Sequence, residues 1–210
     1  MPVPTRKTPG DKKPAQLPSR AQESRREPLL EAAAELFATK GYAGTSMRDI
    51  ASAVDMLVGS IYYHFDSKEQ ILLNVYERGV DSFSAGIRAA LAGVSGADAW
   101  ARLEAACVGH LAVLLEGGPF TRVGSAEFVQ RVPPDVACEL IEHRDRYESE
   151  FERIIADLQL KQPTDRFYLK MFLLGALNST LNWYRPGKAS PAEIARGIIR
   201  FIRDGAENAD

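Results

Sequence analysis

Cysteine is scarce in this chain of 210 residues, where Cys107 and Cys138 stand far apart and outside any CxxC spacing. This scarcity excludes a disulfide framework and a thiolate metal site. No apolar run approaches the roughly 20 residues of a membrane-spanning helix, and the first residues lack the apolar stretch of a secretion signal. We therefore expect a cytoplasmic protein without membrane contact.

Sequence patterns of enzymes are missing as well. The 3 histidines lie far apart, and neither a glycine-rich phosphate loop nor an HExxH spacing occurs. No Ser/His/Asp set is suggested by its sequence context. We predict that the protein is not an enzyme, with no catalytic residues, no metal ligands and no cofactor.

Alternating strand patterns are nearly absent, because apolar residues recur at helical spacing from about residue 24 to residue 205. The pattern predicts an all-α fold of about nine helices. A chain of this length has room for two joined units, each with an apolar core.

Charge is unevenly distributed along the chain. Residues 1–26 have a balance of +5 within a net charge of −2, which leaves −7 for residues 27–210. Residues 1–22 are rich in Pro, Lys, Gln and Ser, so we expect a disordered basic arm. Beside a DNA-reading unit the arm would add salt-sensitive phosphate contacts, and the alternative is a solvated tail without a role.

Three short helices are predicted in residues 23–68. The first begins near Arg26 or Glu27, since proline is tolerated only in a first turn, and it ends at Lys40-Gly41. Thr45 or Ser46 caps the second helix, residues 47–54, and a tight connection leads to a third over residues 58–65. Helix, turn and short helix make the helix-turn-helix that reads the major groove of DNA.

Polar and small residues of this segment are the candidate DNA contacts. Gly59 allows close backbone approach, Arg48 suits a bidentate contact with guanine, and Tyr63 suits a base edge. Simple exposure is the alternative for each side chain, and for His64 a packing role. The predicted DNA-binding residues are Thr45, Ser46, Arg48, Val58, Gly59, Ser60, Tyr62, Tyr63, His64 and Lys68.

The N-terminal segment also resembles a known family. Residues 30–51, LEAAAELFATKGYAGTSMRDIA, followed by residues 59–69, GSIYYHFDSKE, resemble the N-terminal domain of TetR-family regulators. The resemblance implies a homodimer whose paired third helices enter successive major grooves of near-palindromic double-stranded operator DNA. Where the family usually has Ala-Gly-Val-Ser, this chain has residues 54–57, VDML. Asp55 tolerates a left-handed turn, but Leu57 cannot cap the third helix.

Residues 69–210 are predicted to form a larger helical domain for ligand binding and dimerisation. Its helices are expected over about residues 67–91, 98–115 and 119–130, from residue 133, over 163–183, and from residue 190. The last two helices are the dimer candidates, with small residues in the first of them and an apolar stripe in the second. These residues are Gly175, Ala176, Ser179, Ile194, Ile198, Ile199, Phe201 and Ile202.

Aromatic and isolated polar residues in this domain suit an apolar cavity with a few orienting groups. Ordinary core packing is the alternative for each of them. The predicted ligand-binding residues are Trp100, His110, Phe120, Phe128, Tyr147, Phe151, Phe172, Asn178 and Trp183.

A second resemblance concerns the ligand. Residues 172–195, FLLGALNSTLNWYRPGKASPAEIA, are similar to the C-terminal signature of TetR-family repressors of fatty-acid, phenylacetate and steroid-ring catabolism, which respond to acyl-CoA thioesters. The resemblance implies a repressor that an acyl-CoA releases from its operator, with Arg122, Arg144 or Arg146 at the CoA phosphates unless surface ion pairs engage them. A different hydrophobic ligand, a ligand-free dimerisation scaffold, and activation instead of repression remain alternatives.

Overall fold

The computed structural model describes residues 20–94, 96–160 and 165–206, and every regular element among them is a helix. The predicted all-α fold is therefore confirmed. The helices are α1 (Arg20–Lys40), α2 (Met47–Ala53), α3 (Val58–Ile61), α4 (Lys68–Ala92), α5 (Ala99–Glu116), α6 (Pro119–Val123), α7 (Ala126–Val129), α8 (Pro134–Ala156), α9 (Arg166–Trp183) and α10 (Pro191–Ala206).

Local capping signals set several helix ends where they were predicted. Gly41 stops α1 with a left-handed φ of +74°, and its N–H donates to the carbonyl of Phe37 at 3.0 Å. Ser46 and Asp49 form a reciprocal capping box at the start of α2. Ser190 and Glu193 form the same arrangement before α10.

The start of α1 differs from the prediction, because the helix begins at Arg20 and contains Pro28 in its interior. The expected start near Arg26 was wrong. Pro28 is exposed, while the adjacent Leu29 and Leu30 are buried against the rest of the fold. Tertiary burial of these leucines offsets the lost backbone hydrogen bond. Residues 1–19 of the predicted basic arm lie outside the described residues, and residues 20–22 belong to α1.

The long helix α4 is central to the fold and packs against α1, α5, α6 and α8. Two glycine pairs allow this helix to touch its neighbours backbone to backbone. A Cβ on Gly124 would lie only 2.7 Å from the carbonyl carbon of Gly79, and one on Gly86 would lie 2.8 Å from the carbonyl oxygen of Gly109. The contacts hold α4 tightly against α5 and against the end of α6.

The helix predicted over residues 119–130 is broken into α6 and α7. Gly124 ends α6, with its N–H donating to the carbonyl of Phe120 at 2.8 Å. The Ser125 hydroxyl then donates to the carbonyl of Arg122. Because Gly124 also touches Gly79, the break follows from a long-range contact that local sequence does not reveal.

Helices α8 and α10 each bury one face against the rest of the chain. Leu140, Tyr147, Phe151 and Ile154 of α8 are buried. In α10, however, Ile194, Ile199 and Ile202 are buried within the chain, where the helix packs on α5 and α9, so the prediction was wrong for these three members of the dimer stripe. Phe201 points the other way and is 83% exposed.

In the part of the chain that the structure describes, no helix combines the length and the apolar composition that a membrane crossing requires.

Candidate DNA interface and effector site

The turn between α2 and α3 is closed by a double hydrogen bond of the Schellman type. The N–H of Met56 donates to the carbonyl of Ala51 at 2.9 Å, and the N–H of Asp55 donates to that of Ser52 at 3.4 Å. Asp55 has a φ of +51°, as predicted for the residue that replaces the family's glycine. The turn geometry survives this replacement.

Helix α3 is shorter than predicted, ending at Ile61 and continuing as a turn through His64. The N–H groups of His64 and Phe65 both donate to the carbonyl of Ile61, at 2.8 and 3.0 Å. Leu57 stands at the N-cap position and makes no side-chain capping bond, as its residue type implied. Ile61 and Phe65 are buried and anchor the segment to the domain core.

The outer side of α3 carries most of the predicted DNA contacts. Gly59 and Ser60 are exposed, Tyr62 and Tyr63 are 51% and 73% exposed, and the Tyr63 ring meets His64 edge-on. A Cβ on Gly59 would meet nothing within 4 Å. No contact within the described chain therefore requires glycine at this position, whereas close approach of a DNA backbone or base edge would.

The predicted contacts at α2 divide into exposed and buried residues. Ser46 and Arg48 are exposed, although Ser46 is also occupied in capping α2. Thr45 is only 2% exposed, and its hydroxyl donates to the carbonyl of Gly41 at 2.8 Å. The prediction that the Thr45 side chain contacts DNA was wrong, because it is buried and its hydroxyl stabilises the loop between α1 and α2.

Lys68 lies in the first turn of α4, as predicted, but much of its hydrogen-bonding capacity is used inside the domain. Its ammonium donates to the carbonyls of Tyr42 at 3.0 Å and Thr45 at 2.9 Å, and it lies 4.0 Å from the centre of the Tyr42 ring. The Tyr42 hydroxyl donates to Glu69; burial first, then this carboxylate, raises the pKa of Tyr42. Lys68 thus ties the loop before α2 to α4.

The larger domain contains a closed aromatic cluster at the centre of α4, α5 and α8. His110 shares a hydrogen bond with the Tyr147 hydroxyl through Nδ1 and stacks on Phe83 at 5.1 Å between ring centres. Phe151 packs edge-on against the rings of His110 and Tyr147. Burial lowers the pKa of His110 to about 4, an effect that Asn178 on α9 partly opposes. His110 is therefore neutral at physiological pH.

The other predicted ligand residues do not join this cluster. Trp100 is buried near the Arg203 guanidinium of α10, and Phe120 lies under that of Arg78. Phe172 and Trp183 are 66% and 52% exposed on the outer face of α9, so their assignment to a pocket within this chain was wrong. Phe128 alone lines the pocket described next.

An apolar pocket of about 280 Å³ lies where α1, α5, α6, α7 and α9 meet. Arg122 and Arg131 contribute cations to its wall, and Arg122 also pairs with Glu35 of α1 at 3.3 Å. Phe128 was predicted as one of several aromatic ligand residues, and Arg122 was implied by the resemblance to acyl-CoA-responsive repressors. Neither indication could bring together residues from five helices. The lining residues are Ala38, Leu114, Leu115, Gly117, Thr121, Arg122, Ser125, Phe128, Arg131, Leu181 and Tyr184.

A second cleft of about 770 Å³ runs between α8 and α9 and includes Asn178. Its cations already have acidic partners. Lys170 lies 2.6 Å from Glu152 and 3.2 Å from Glu148, and Arg144 lies 3.3 Å from Glu148. Burial alone would lower the pKa of Lys170, but these carboxylates raise it. The cleft therefore offers an anion less net positive charge than the junction pocket.

Arg146, the third predicted phosphate contact, is exposed and lines neither the junction pocket nor this cleft.

Within the described ranges, no group of three or more His, Cys, Asp or Glu residues is placed to hold a metal ion.

Comparison with known proteins identifies the family at both ends of the chain. The model of "Bacterial regulatory proteins, tetR family" matches residues 29–75, and that of "Tetracyclin repressor-like, C-terminal domain" matches residues 96–206. The HTH-type transcriptional repressor KstR2 of Rhodococcus jostii (strain RHA1) is 30% identical over 190 residues, which cover 86% of this chain and 90% of that protein.

Solved structures agree on the fold. PfiT, described as a superantigen, is 30% identical with a TM-score of 0.72, covering 89% of this chain and 98% of PfiT. AibR in complex with isovaleryl coenzyme A and operator DNA is 24% identical with a TM-score of 0.70, covering 84% of this chain and 97% of AibR. The AibR likeness bears on the fold alone. With both family models and KstR2 matched over most of its length, this chain belongs to the TetR family of DNA-binding transcriptional repressors.

Proposed function

We propose that the protein represses transcription as a homodimer that holds double-stranded operator DNA with its two α3 segments. The observation that carries this proposal is the exposed side of α3, where Ser60, Tyr62 and Tyr63 are exposed together with Gly59, a glycine that no contact in the described chain requires. Residues 23–68 are the proposed DNA-binding domain and residues 69–210 the effector and dimerisation domain, with α4 continuing from one into the other. In a bacterial cell such a repressor works in the cytoplasm.

The second copy is proposed to cover the outer face of α9 together with Phe201 of α10. This face exposes large apolar side chains that a soluble monomer rarely leaves in water. Gly175 and Ser179 lie exposed between them and leave room for the partner's helices, so the predicted role of these small residues stands as part of the proposal. The exposed apolar residues are Phe167, Tyr168, Met171, Phe172, Leu181, Trp183 and Phe201.

The proposed effector is an acyl-CoA thioester, with its acyl end in the junction pocket. A volume of about 280 Å³ with mainly aliphatic and aromatic walls suits a small acyl group. Arg122 and Arg131 would meet the phosphates of the CoA moiety. The class of effector is taken from the signature in residues 172–195 and from this pairing of apolar walls with cations; AibR, a protein of the same fold, binds isovaleryl coenzyme A.

Release from DNA would follow from the position of α6 between the pocket and the DNA-binding domain. Arg122 of α6 pairs with Glu35 of α1, and Phe120 of α6 lies against Arg78 of α4, which itself pairs with Glu27. A phosphate that engages Arg122 would compete with Glu35. The available energy is the difference in effector affinity between the DNA-bound and released arrangements.

Calorimetric titration with a panel of CoA thioesters and the matching free acids tests the effector. We expect a thioester to bind and to release operator DNA, while its free acid binds more weakly because it lacks the phosphates. Arg122→Ala should weaken thioester binding by about tenfold, as loss of a hydrogen bond to a charged group does. Arg102→Ala is the matched control, because Arg102 pairs with Asp157 at 2.9 Å and does not line the pocket.

Three outcomes would contradict this assignment. If Arg122→Ala binds thioesters as the parent protein does, the junction pocket is not the effector site. If neither thioesters nor apolar acids bind, the second candidate gains support: a ligand-free DNA-binding dimerisation scaffold, which the close packing of Phe83, His110, Tyr147 and Phe151 favours. Binding of the free acids alone would indicate a hydrophobic effector that is not a CoA thioester.

A further inference from the structure

Leu57 occupies an unusual position for a leucine, the N-cap of α3. Its side chain is 80% exposed and makes no capping hydrogen bond. A Ser, Thr, Asp or Asn at an N-cap would accept a bond from the first turn of the helix. Leu57 thus contributes neither capping nor much packing to the folded chain, although exposing an aliphatic side chain to water has a free-energy cost.

Exposed apolar side chains of the N-terminal domain are concentrated around this residue. Within residues 25–68, the large hydrophobic side chains that are exposed are those of Leu57, Tyr62 and Tyr63. Leu57 and Tyr62 directly flank α3, and Tyr63 follows Tyr62. The apolar surface of this domain therefore coincides with its proposed DNA-facing side.

The backbone around Leu57 is held in a defined position. The Schellman turn at Asp55 precedes it, and its own carbonyl accepts a hydrogen bond from the N–H of Ser60 at 2.8 Å. Gly59, two residues further on, has open space in place of a side chain. A duplex could approach this end of α3 closely enough for a leucine side chain to touch a base edge.

We propose that Leu57 is a specificity-determining residue that contacts the 5-methyl group of a thymine in the operator. This methyl group is the apolar feature that the major groove presents to a protein, and aliphatic side chains recognise it by burial. The inference rests on the proposed DNA-binding function of α3 and adds a base preference to it. Burial of one methyl group corresponds to about a fourfold gain in affinity per half-site.

Deoxyuridine substitution tests the contact, because it removes the methyl group and leaves the hydrogen-bonding edge of the base unchanged. An operator is first selected from a random duplex library with the full-length protein, and each thymine is then replaced singly by deoxyuridine. We expect one position per half-site at which the replacement weakens binding of the parent protein about fourfold. Leu57→Ser should show no loss at that position.

The same variant separates a DNA contact from a structural role. Leu57→Ser introduces an N-cap hydroxyl, so we expect its melting temperature to rise while its thymine discrimination disappears. A structural role for Leu57 would instead lower the melting temperature. Ala53→Ser, an exposed substitution at the end of α2, is the matched control and should keep the discrimination of the parent protein.

Three results would overturn the inference. In the first, deoxyuridine weakens operator binding equally for Leu57→Ser and for the parent protein. In the second, no single replacement of thymine by deoxyuridine weakens binding of the parent protein. In the third, Leu57→Ser binds all DNA sequences more weakly by the same factor. If the parent protein selects no sequence from the library, the proposed DNA-reading function itself fails. That result is distinct from a selected operator whose thymine methyl groups make no difference.

Discussion

Among the described residues, the exposed apolar surface at α3 differs from the one on α9 in how its apolar residues are arranged. At α3, Leu57, Tyr62 and Tyr63 are interspersed with exposed Gly59 and Ser60. On α9 the exposed side chains are mostly large and apolar, and Phe201 of α10 extends the set. An interspersed surface suits a polar partner such as DNA, whereas a continuous apolar surface suits another protein chain.

The interiors beneath these surfaces differ as well. The N-terminal domain is anchored by aliphatic and phenyl side chains such as Ile50, Ile61 and Phe65. The larger domain buries a polar pair, His110 and Tyr147, among aromatic rings. A buried hydrogen-bonded pair specifies one packing arrangement, but it makes the domain sensitive to pH. The N-terminal domain is therefore anchored by apolar side chains, whereas the larger domain contains titratable groups at its centre.

Placing a charge on α9 is the strongest way to break the comparison. Phe172→Asp should weaken self-association by about 3 kcal/mol, on the order of a hundredfold, because the carboxylate would be buried in the subunit interface. Operator binding should fall with it, although α3 is untouched. Analytical ultracentrifugation and gel shifts on the same samples measure both. Ala89→Asp on α4 is the control for charge alone, and an intact Phe172→Asp dimer would refute the assignment of this face.

Acidification tests the centre of the larger domain. The pKa of His110 lies at about 4, below its usual 6.5, because burial disfavours the charged ring. As pH falls below 6.5 the unfolded chain gains a proton that the folded chain does not, so the free energy of unfolding decreases until about pH 4. Between pH 6.5 and about pH 5 this group should remove about 1.5 kcal/mol.

His110→Gln should lack this component, so its unfolding free energy should fall less over the same interval. Denaturant titrations at several pH values give the slope of unfolding free energy against pH for each protein. The difference between the two slopes removes the contribution of the carboxylates that both proteins share. Identical slopes would mean that His110 is accessible to protons in the folded state.

Substitution at α3 sharpens the comparison from the side of the DNA-binding domain. Tyr63→Ala should weaken specific operator binding by about 1–3 kcal/mol, because an exposed aromatic contact with a base edge is lost, and should leave the dimer intact. Gel shifts with operator and with unrelated duplex separate specific from general binding. Unchanged operator affinity would remove Tyr63 from the proposed contacts.

Helix signals that depend on neighbouring residues were read correctly from the sequence. The cap at Ser46, the stop at Gly41 and the left-handed turn at Asp55 each depend on a few adjacent side chains and backbone groups. Where the predictions failed, a distant contact intervened. Burial of Leu29 and Leu30 keeps Pro28 inside α1, and the contact of Gly124 with Gly79 accompanies the break between α6 and α7.

The candidate site shows the same division. The helix-turn-helix could be predicted because its residues are contiguous. The burial of Thr45, the short α3 and the internal hydrogen bonds of Lys68 required the structure. The ligand-binding residues were harder to predict, because α9 is apolar nearly all round and periodicity cannot tell its core side from its outer side. Phe172 and Trp183, which were predicted to line a pocket, are exposed. The junction pocket is instead lined by residues from five helices.

The sequence by itself determined the all-helical class, most helix ends and the position of the helix-turn-helix, because spacing and capping act over a few residues. Tertiary structure decided which apolar faces remain outside, where the pocket lies, and that Arg122 of α6 meets Glu35 of α1. Those features depend on how helices far apart in the chain approach one another, and that approach is set by packing of the whole molecule.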